Sequence, residues 1–227
     1  MSNKSINIRN TIIQTLFTKP YFTKEELQNI LRRHEIPFDS FIKDTTELLH
    51  HLGFELRSII SDYTDATYYG ICQTLEDSSA SESLGLKAEQ VQLYFRFIDS
   101  IINSARDLHS SVTIGEVLDL APPEMAQSFA QETINKFCQI GCCEKRGDRI
   151  RIGPRGILEF KTTFSQLAAK DDADIHSCTI CLDFMLAGIK CAQCNCFIHK
   201  RCVQSLNQDR WECPVCKNTD PYVEFGM

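Results

Sequence analysis

Cysteine and histidine pairs near the carboxyl-terminal end are the residues in this sequence best suited to chemistry. Of 12 cysteines in 227 residues, eight lie between Cys178 and Cys216. Seven of these cysteines and one histidine form four pairs of the same spacing: Cys178-x2-Cys181, Cys191-x2-Cys194, His199-x2-Cys202 and Cys213-x2-Cys216. Zinc binds four thiolate or imidazole ligands in a tetrahedron, and a Cys-x2-Cys turn presents two sulfurs to one ion. The eight ligands are therefore enough for two zinc ions.

Spacing alone leaves open which four ligands share each ion. An interleaved arrangement would place Cys178, Cys181, His199 and Cys202 on one ion, and Cys191, Cys194, Cys213 and Cys216 on the other. Cys196 lies three residues before His199 and could replace Cys194 as a ligand. We predict Cys194, because Cys191-x2-Cys194 is the ordinary zinc knuckle. Metal ligation would supply the folding free energy of this segment of about 40 residues, which has almost no core.

The composition is that of a soluble globular protein with an acidic balance. Hydrophobic residues make up 43% of the chain and charged residues 24%, and the formal net charge is −6. A chain of this charge is a poor candidate for a protein that coats duplex DNA. No apolar run reaches the ~18 residues of a membrane span, and the first residues lack the apolar core of a signal peptide. We expect an intracellular protein without a membrane partner, and clustered cysteines in a reducing compartment indicate metal binding.

The first segment of the chain has the pattern of three helices followed by a β-hairpin. Apolar residues recur at helical spacing, and a capping box marks the start of the second helix. The predicted elements are a helix over 8–17, a helix opened by Thr23-x-x-Glu26, a helix over 38–52, and strands over 54–60, broken at Ser58, and over 67–72. This order of elements predicts a winged helix.

A polar, Ser-rich linker is predicted at 74–86, after which the same order of elements returns. The predicted elements are a helix over 88–105, a short helix opened by the capping box Thr113-x-x-Glu116, a helix started by Pro122-Pro123 and ended by Gly141, a hairpin over 142–152 that turns at Arg146-Gly147-Asp148, and a helix over 157–167. We predict a mostly α fold with small β wings. The domains would be tandem winged helices at 1–73 and 87–167, a hinge at 168–177, a cross-braced zinc finger at 178–217 and a tail at 218–227.

The helices that would enter a DNA groove in a winged helix are not basic here. The first carries Asp39, Asp44 and Glu47 against Lys43 alone, so it would repel phosphate. The wing of the second domain is different, because only Glu144 and Asp148 oppose its strip of five candidate phosphate contacts: Lys145, Arg146, Arg149, Arg151 and Arg155. The alternative is a solvated hairpin whose charges prevent edge pairing. The helical domains are predicted to dock other proteins.

The ligand set of seven cysteines and one histidine resembles that of a variant RING finger, in an order that also occurs in PHD fingers. Tandem winged helices ahead of such a finger resemble the first non-SMC element family of the SMC five/six DNA-repair complex. The resemblance covers nearly the whole chain. It implies a nuclear subunit that pairs with a MAGE-like winged-helix partner and a kleisin subunit, and that contacts DNA mainly through the complex. It also implies a ubiquitin-ligase module stimulated by the MAGE-like partner.

A RING-type ligase forms no covalent intermediate, so the resemblance implies no covalent catalytic residue. The finger instead holds a ubiquitin-conjugating enzyme and its charged ubiquitin in a reactive pose. The positions that match conjugating-enzyme contacts of the family are Ile180, Leu206 and Pro214, and Lys217 matches the residue that braces ubiquitin. Trp211, two residues before Cys213, follows the PHD pattern instead.

Two other functions fit the same residues. The finger could be a zinc-stapled adaptor that assembles partner subunits without transferring ubiquitin. It could also be a histone-tail reader of the PHD kind, which Trp211 favours, although the segment 182–190 carries a single acid, Asp183, to meet a basic peptide.

Overall fold

The structure is a computed structural model that describes residues 3–74, 85–170, 175–206 and 211–226. Most of the predicted linker, 75–84, and part of the predicted hinge, 171–174, lie outside these residues. The described chain consists of helices and small antiparallel sheets, as predicted. None of the helices in these ranges combines the length and the mean hydropathy that crossing a bilayer requires.

The amino-terminal unit, residues 3–74, contains three helices and a three-stranded sheet. Its elements are α1 (Asn3–Thr18), β1 (Phe22–Thr23), α2 (Lys24–Arg33), α3 (Phe38–His50), β2 (Phe54–Ile60) and β3 (Thr67–Gln73), with strand order β1-β3-β2. The predicted break at Ser58 is wrong, because β2 pairs with β3 along its whole length and Ser58 lies opposite Tyr69. The Ser58 carbonyl also accepts a hydrogen bond from Lys161 Nζ at 2.9 Å, so this backbone oxygen has a partner.

Local sequence signals explain how α2 begins and which face it buries. The Thr23 hydroxyl accepts a hydrogen bond from the Glu26 amide at 3.1 Å, and the Glu26 carboxylate accepts one from the Thr23 amide at 2.9 Å. This capping box satisfies two amides that would otherwise lack partners. Leu27 and Leu31, one turn apart, are fully buried against the rest of the unit.

The middle unit, residues 85–170, repeats this order of elements and adds a helix. Its elements are α4 (Ala88–Arg106), β4 (Ser111–Thr113), α5 (Ile114–Asp119), α6 (Gln127–Gln139), β5 (Cys143–Arg146), β6 (Arg149–Ile152) and α7 (Pro154–Ala168), with strand order β4-β6-β5. In both units the short first strand pairs with the last strand of the hairpin.

The prediction that Pro122-Pro123 starts a helix is wrong. α6 begins at Gln127, and the segment before it forms a turn in which the Met125 amide donates to the Pro122 carbonyl at 2.8 Å. A residue that precedes a proline is disfavoured in the helical region, so Pro122 cannot readily start a helix. Gly141 ends α6 with φ of 77°, the left-handed conformation of a helix C-cap.

The finger, residues 175–206 and 211–226, is held mainly by short strands. Its elements are β7 (His176–Ser177), β8 (Phe184–Met185), β9 (Gly188–Lys190), β10 (Phe197–Ile198), α8 (Lys200–Gln204) and β11 (Val223–Phe225); β7 pairs with β8, and the others form a sheet in the order β10-β9-β11. The prediction that residues 218–227 form a tail outside the finger is therefore wrong, because β11 belongs to this sheet. Phe225 is buried, and the next amide, of Gly226, donates to the Leu108 carbonyl at 3.1 Å.

The three parts of the chain pack against one another. Arg57 in β2 donates hydrogen bonds to the carbonyls of Leu158 and Glu159 in α7, at 3.2 and 3.0 Å. Ile175, within the predicted hinge, is fully buried in the core of the middle unit. Ser177 donates to the Ala168 carbonyl at 2.9 Å. The described end of the predicted hinge is thus a packed junction between the middle unit and the finger.

Candidate metal centre

The finger brings the eight predicted ligands together as two separate groups. The first cluster is Cys178, Cys181, His199 and Cys202, and the second cluster is Cys191, Cys194, Cys213 and Cys216. Within each cluster all four donor atoms lie within 4.8 Å of one another. This is the interleaved arrangement, in which the second ligand pair along the chain belongs to a different site from the first.

The donor distances fit a tetrahedral ion. Metal–sulfur bonds of about 2.3 Å at the tetrahedral angle separate two sulfurs by about 3.8 Å, and a sulfur from a nitrogen by about 3.5 Å. In the second cluster the sulfurs of Cys191 and Cys216 lie 3.6 Å apart. In the first cluster His199 Nδ1 lies 3.3 Å from the Cys181 sulfur and 3.8 Å from the Cys202 sulfur. Four protein ligands close each site, which is the arrangement of structural metal sites.

The two Cys-x2-Cys turns that begin and end the finger share one backbone geometry. Leu182 and Lys217, each directly after the second cysteine of its pair, have φ of 63° and 62°. Their amides donate to the carbonyls of Cys178 and Cys213 at 2.8 and 3.0 Å. This left-handed turn folds the chain back so that both sulfurs of a pair face the same point.

Hydrogen bonds favour one thiolate in each cluster. Burial raises the pKa of Cys178, but hydrogen bonds from His199 and from backbone amides outweigh it and lower the pKa to about 6. Burial likewise opposes ionisation of Cys213, and the amides of Cys216 and Val215 lower its pKa to about 6. Burial raises the pKa of Cys202 to about 12. Cys178 and Cys213 therefore favour the thiolate form at neutral pH, and thiols that are still protonated ionise when a metal binds.

Cys196 belongs to neither cluster. It is buried, its sulfur donates to the Thr179 hydroxyl at 3.4 Å, and its carbonyl accepts from the Cys191 amide at 2.9 Å. The structure thus places Cys194, and not Cys196, in the second cluster. Cys196 instead packs in the small finger core, beside Phe197.

Comparisons with known proteins extend over nearly the whole chain, although no family model matches the sequence. A Drosophila melanogaster protein named "Non-structural maintenance of chromosomes element 1 homolog" is 27% identical over 220 residues, or 94% of this chain and 88% of the relative. A Homo sapiens protein of the same name is 22% identical over 187 residues, or 81% of this chain and 69% of the relative. A chain of a solved structure, the "Nse1-Nse3-Nse4 complex", shares the fold with a TM-score of 0.78, at 16% identity, and the match covers 97% of this chain and 98% of that one.

Over nearly its whole length, the chain is similar to proteins of the non-SMC element one family. In this chain, the three positions matched to conjugating-enzyme contacts, Ile180, Leu206 and Pro214, are half-buried. Ile180 also packs against the finger core. The apolar side chains most open to solvent beside the ligands are Leu182 and Val215, which are 79% and 59% exposed. Sequence reasoning missed both, although each directly adjoins a predicted ligand: Leu182 follows Cys181, and Val215 precedes Cys216.

The predicted phosphate strip is not formed as expected. Arg151 is buried and pairs with Glu144 at 2.6 Å, so it does not face solvent. Arg155 pairs with Glu159 at 2.9 Å, and its side chain is only 17% exposed. Arg149 is exposed but hydrogen-bonds to the Ser111 hydroxyl at 2.8 Å. Two further members of the strip, Lys145 and Arg146, are exposed at the hairpin tip.

Proposed function

We propose that this protein is a nuclear subunit of an SMC five/six-type complex that acts in DNA repair, and that its finger is a RING-type ubiquitin-ligase module. The observation that carries the proposal is the pair of closed, interleaved four-ligand clusters, in a chain that is similar over nearly its whole length to the non-SMC element one family. The names of the fly and human relatives, and that of the solved complex, support the assignment to such an assembly.

Two zinc ions are the metals that these clusters suit best. Thiolate and imidazole ligands in a closed tetrahedral set favour zinc, which has no redox chemistry and no geometric preference of its own. Bound zinc would supply folding free energy to the finger. The protein's own residues would then present an apolar surface around Ile180, Leu206 and Pro214 to a ubiquitin-conjugating enzyme.

The two helical units are proposed to be winged helices that dock a MAGE-like subunit and a kleisin subunit. Three helices with a sheet of order β1-β3-β2, and again β4-β6-β5, support this assignment. The acidic character of α3, where Asp39 and Glu47 are exposed beside Lys43, favours a protein partner over DNA. Any direct phosphate contact in the assembled complex is proposed to be made by Lys145 and Arg146 at the exposed hairpin tip.

Ubiquitin discharge from a charged conjugating enzyme tests the ligase proposal. The assay uses the full chain in complex with its MAGE-like partner, and compares wild type with Ile180→Ala. The control is Val223→Ala, which truncates an apolar side chain that is 51% exposed on β11. We expect Ile180→Ala to slow discharge at least fivefold while two zinc ions are retained, and Val223→Ala to have no effect. Discharge at the wild-type rate by Ile180→Ala with two zinc ions bound would contradict a ligase surface at this position.

An adaptor without ligase activity is the second candidate, favoured by the packing of Ile180 against the finger core and of the finger against the middle unit. It predicts that Ile180→Ala leaves complex assembly and cellular DNA repair intact, whereas Cys213→Ala disrupts assembly. A repair defect in Ile180→Ala cells with a fully assembled complex would exclude an adaptor-only role.

A further inference from the structure

The carboxylate of Asp62, in the turn between β2 and β3, reaches from the amino-terminal unit to the first cluster. Its side chain is only 7% exposed. Oδ1 lies 3.2 Å from His199 Nε2 and accepts a hydrogen bond from the Arg201 guanidinium at 2.6 Å. Oδ2 accepts from the backbone amides of Leu186 and Ala187 at 2.9 and 3.4 Å. Both oxygens of one carboxylate are therefore bound to the finger.

The orientation of the His199 ring determines what this contact does. Nδ1 faces the sulfurs of Cys181 and Cys202, so Nδ1 is the ligand atom and the ring proton must reside on Nε2 when a metal is bound. Nε2 makes a hydrogen bond with the Phe184 carbonyl at 3.2 Å, and Asp62 Oδ1 lies at the same distance as an ion-pair contact. Histidines that bind metals usually donate their second ring nitrogen to a carboxylate or carbonyl, which fixes the tautomer and makes the ligand nitrogen more basic.

Burial strengthens the electrostatic interaction between the Asp62 carboxylate and the His199 ring. The His199 side chain is 1% exposed, so bulk water hardly reaches Nε2. Arg201, two residues after His199 on α8, balances the buried charge of Asp62. A buried carboxylate that is paired and accepts hydrogen bonds from every side is held in one orientation.

We propose that Asp62 is a positioning residue of the first cluster, holding His199 as a metal ligand from outside the finger. Metal binding at this cluster and docking of the finger on the amino-terminal unit are then thermodynamically coupled, since each stabilises the geometry that the other needs. The second cluster has no such partner among the described residues that contact its ligands. The inference rests on the proposed loading of the first cluster with zinc.

Metal release from the full chain tests this coupling. Zinc-loaded wild type, Asp62→Asn and Asp62→Ala are mixed with an excess of a colorimetric chelator, and release of the two ions is followed as separate phases. Asp65→Asn is the matched control, because Asp65 lies in the same turn, is exposed, and has a left-handed φ of 56° that asparagine tolerates. Cobalt(II)-substituted protein assigns each phase, because a site with an imidazole ligand absorbs differently from a site with four thiolates.

We expect Asp62→Ala to release the ion of the first cluster about 10- to 100-fold faster, the range typical of lost outer-shell partners. Asp62→Asn, which keeps one acceptor oxygen, should fall between Ala and wild type. The ion of the second cluster, and both ions of the Asp65→Asn control, should be released at wild-type rates. The cobalt spectrum of the imidazole-bearing site should shift in Asp62→Ala, and should shift less or not at all in Asp62→Asn.

Wild-type release of both ions by Asp62→Ala would overturn the inference, and so would equal acceleration of both clusters by Asp62→Asn. Should Asp62→Ala fail to fold, the rates of Asp62→Asn decide between these outcomes. Wild-type protein that holds zinc only in its second cluster would contradict the proposed metal loading itself. The two failures are thus told apart by the wild-type stoichiometry.

Discussion

The guanidinium of Arg151 lies 3.7 Å from the centre of the Tyr63 ring, although the two residues belong to different units. Tyr63 follows Asp62 in the turn between β2 and β3, and Arg151 lies on β6 of the middle unit. Arg151 also pairs with Glu144 at 2.6 Å. One turn of the amino-terminal unit therefore contacts the middle unit through Tyr63 and the finger through Asp62.

Arg151→Ala is expected to destabilise the protein, because it removes a buried cation–π contact and leaves Glu144 without its partner. A desolvated cation–π contact contributes about 2 kcal/mol. The thermal unfolding midpoint should fall by several degrees in Arg151→Ala and stay unchanged in Arg146→Ala, whose side chain is exposed at the hairpin tip. Equal midpoints for both variants would show that the contact with Tyr63 carries no stability.

Gly141→Ala is expected to be far more destabilising than Gly147→Ala. Both glycines have a left-handed φ, of 77° and 62°, which costs an alanine about 1–2 kcal/mol. A Cβ at Gly141 would also overlap the ring of Tyr21 in the amino-terminal unit, whereas a Cβ at Gly147 meets no atom within 4 Å. Chemical denaturation of the two variants measures the difference. Similar losses would mean that Tyr21 can move aside freely.

Cys138 should be the first cysteine outside the finger to react with an alkylating reagent. Its sulfur lies 3.4 Å from that of Cys143, and the hydrogen bond from Cys143 lowers the pKa of Cys138 to about 7. Burial raises the pKa of Cys72 and of Cys142 to about 12. The thiolate is the reactive form, so Cys138 is largely reactive near pH 7.5 and the buried thiols are not.

Peptide mapping after brief treatment of zinc-loaded protein with iodoacetamide checks this order. Cys138→Ser protein should lose the early label and keep the same metal content. Labelling of Cys72 or Cys142 at the same rate as Cys138 would contradict the predicted order of reactivity.

Glu159→Gln is expected to stabilise the protein near neutral pH. Burial raises the pKa of Glu159, and Arg155 and Arg57 offset the effect only in part. The native state then holds a proton more tightly than the unfolded state does, so the free energy of unfolding falls as the pH rises from the unfolded value, 4.5, through the higher native value. Glutamine removes this penalty while it can still accept from Arg155.

Thermal midpoints measured from about pH 5 to about pH 7.5 test the effect. They should decline less with rising pH in Glu159→Gln than in wild type, and Glu124→Gln, at an exposed position, should follow wild type. A steeper decline in Glu159→Gln would show that the ion pair with Arg155 outweighs burial.

Short-range features of this fold can be predicted from the sequence because they depend on neighbouring residues. The cysteine spacing sets each knuckle within four residues, and the capping box at Thr113 appears as predicted, with the Glu116 amide donating to the Thr113 hydroxyl at 3.1 Å. The hairpin turn at Gly147 likewise follows from its own residue type. Such signals position the ligands along the chain.

Long-range features cannot be predicted in the same way, because nothing local signals them. Asp62 precedes His199 by more than half the chain, and an acidic residue in a turn is ordinarily solvated. The segment from Val223 to Phe225 is too short for its alternation of apolar and polar residues to predict a strand, yet it pairs with β9. The burial of Arg151, which removes it from the phosphate strip, depends on Tyr63 from the other unit.

Native mass spectrometry of the intact chain, with three proteins compared side by side, tests the central claim most directly. Wild type and Cys196→Ala should each carry two zinc ions at neutral pH, and Cys194→Ala should lose the ion of the second cluster. A wild-type chain that carries fewer than two zinc ions while its finger remains folded, or a Cys196→Ala chain that loses one, would contradict the account.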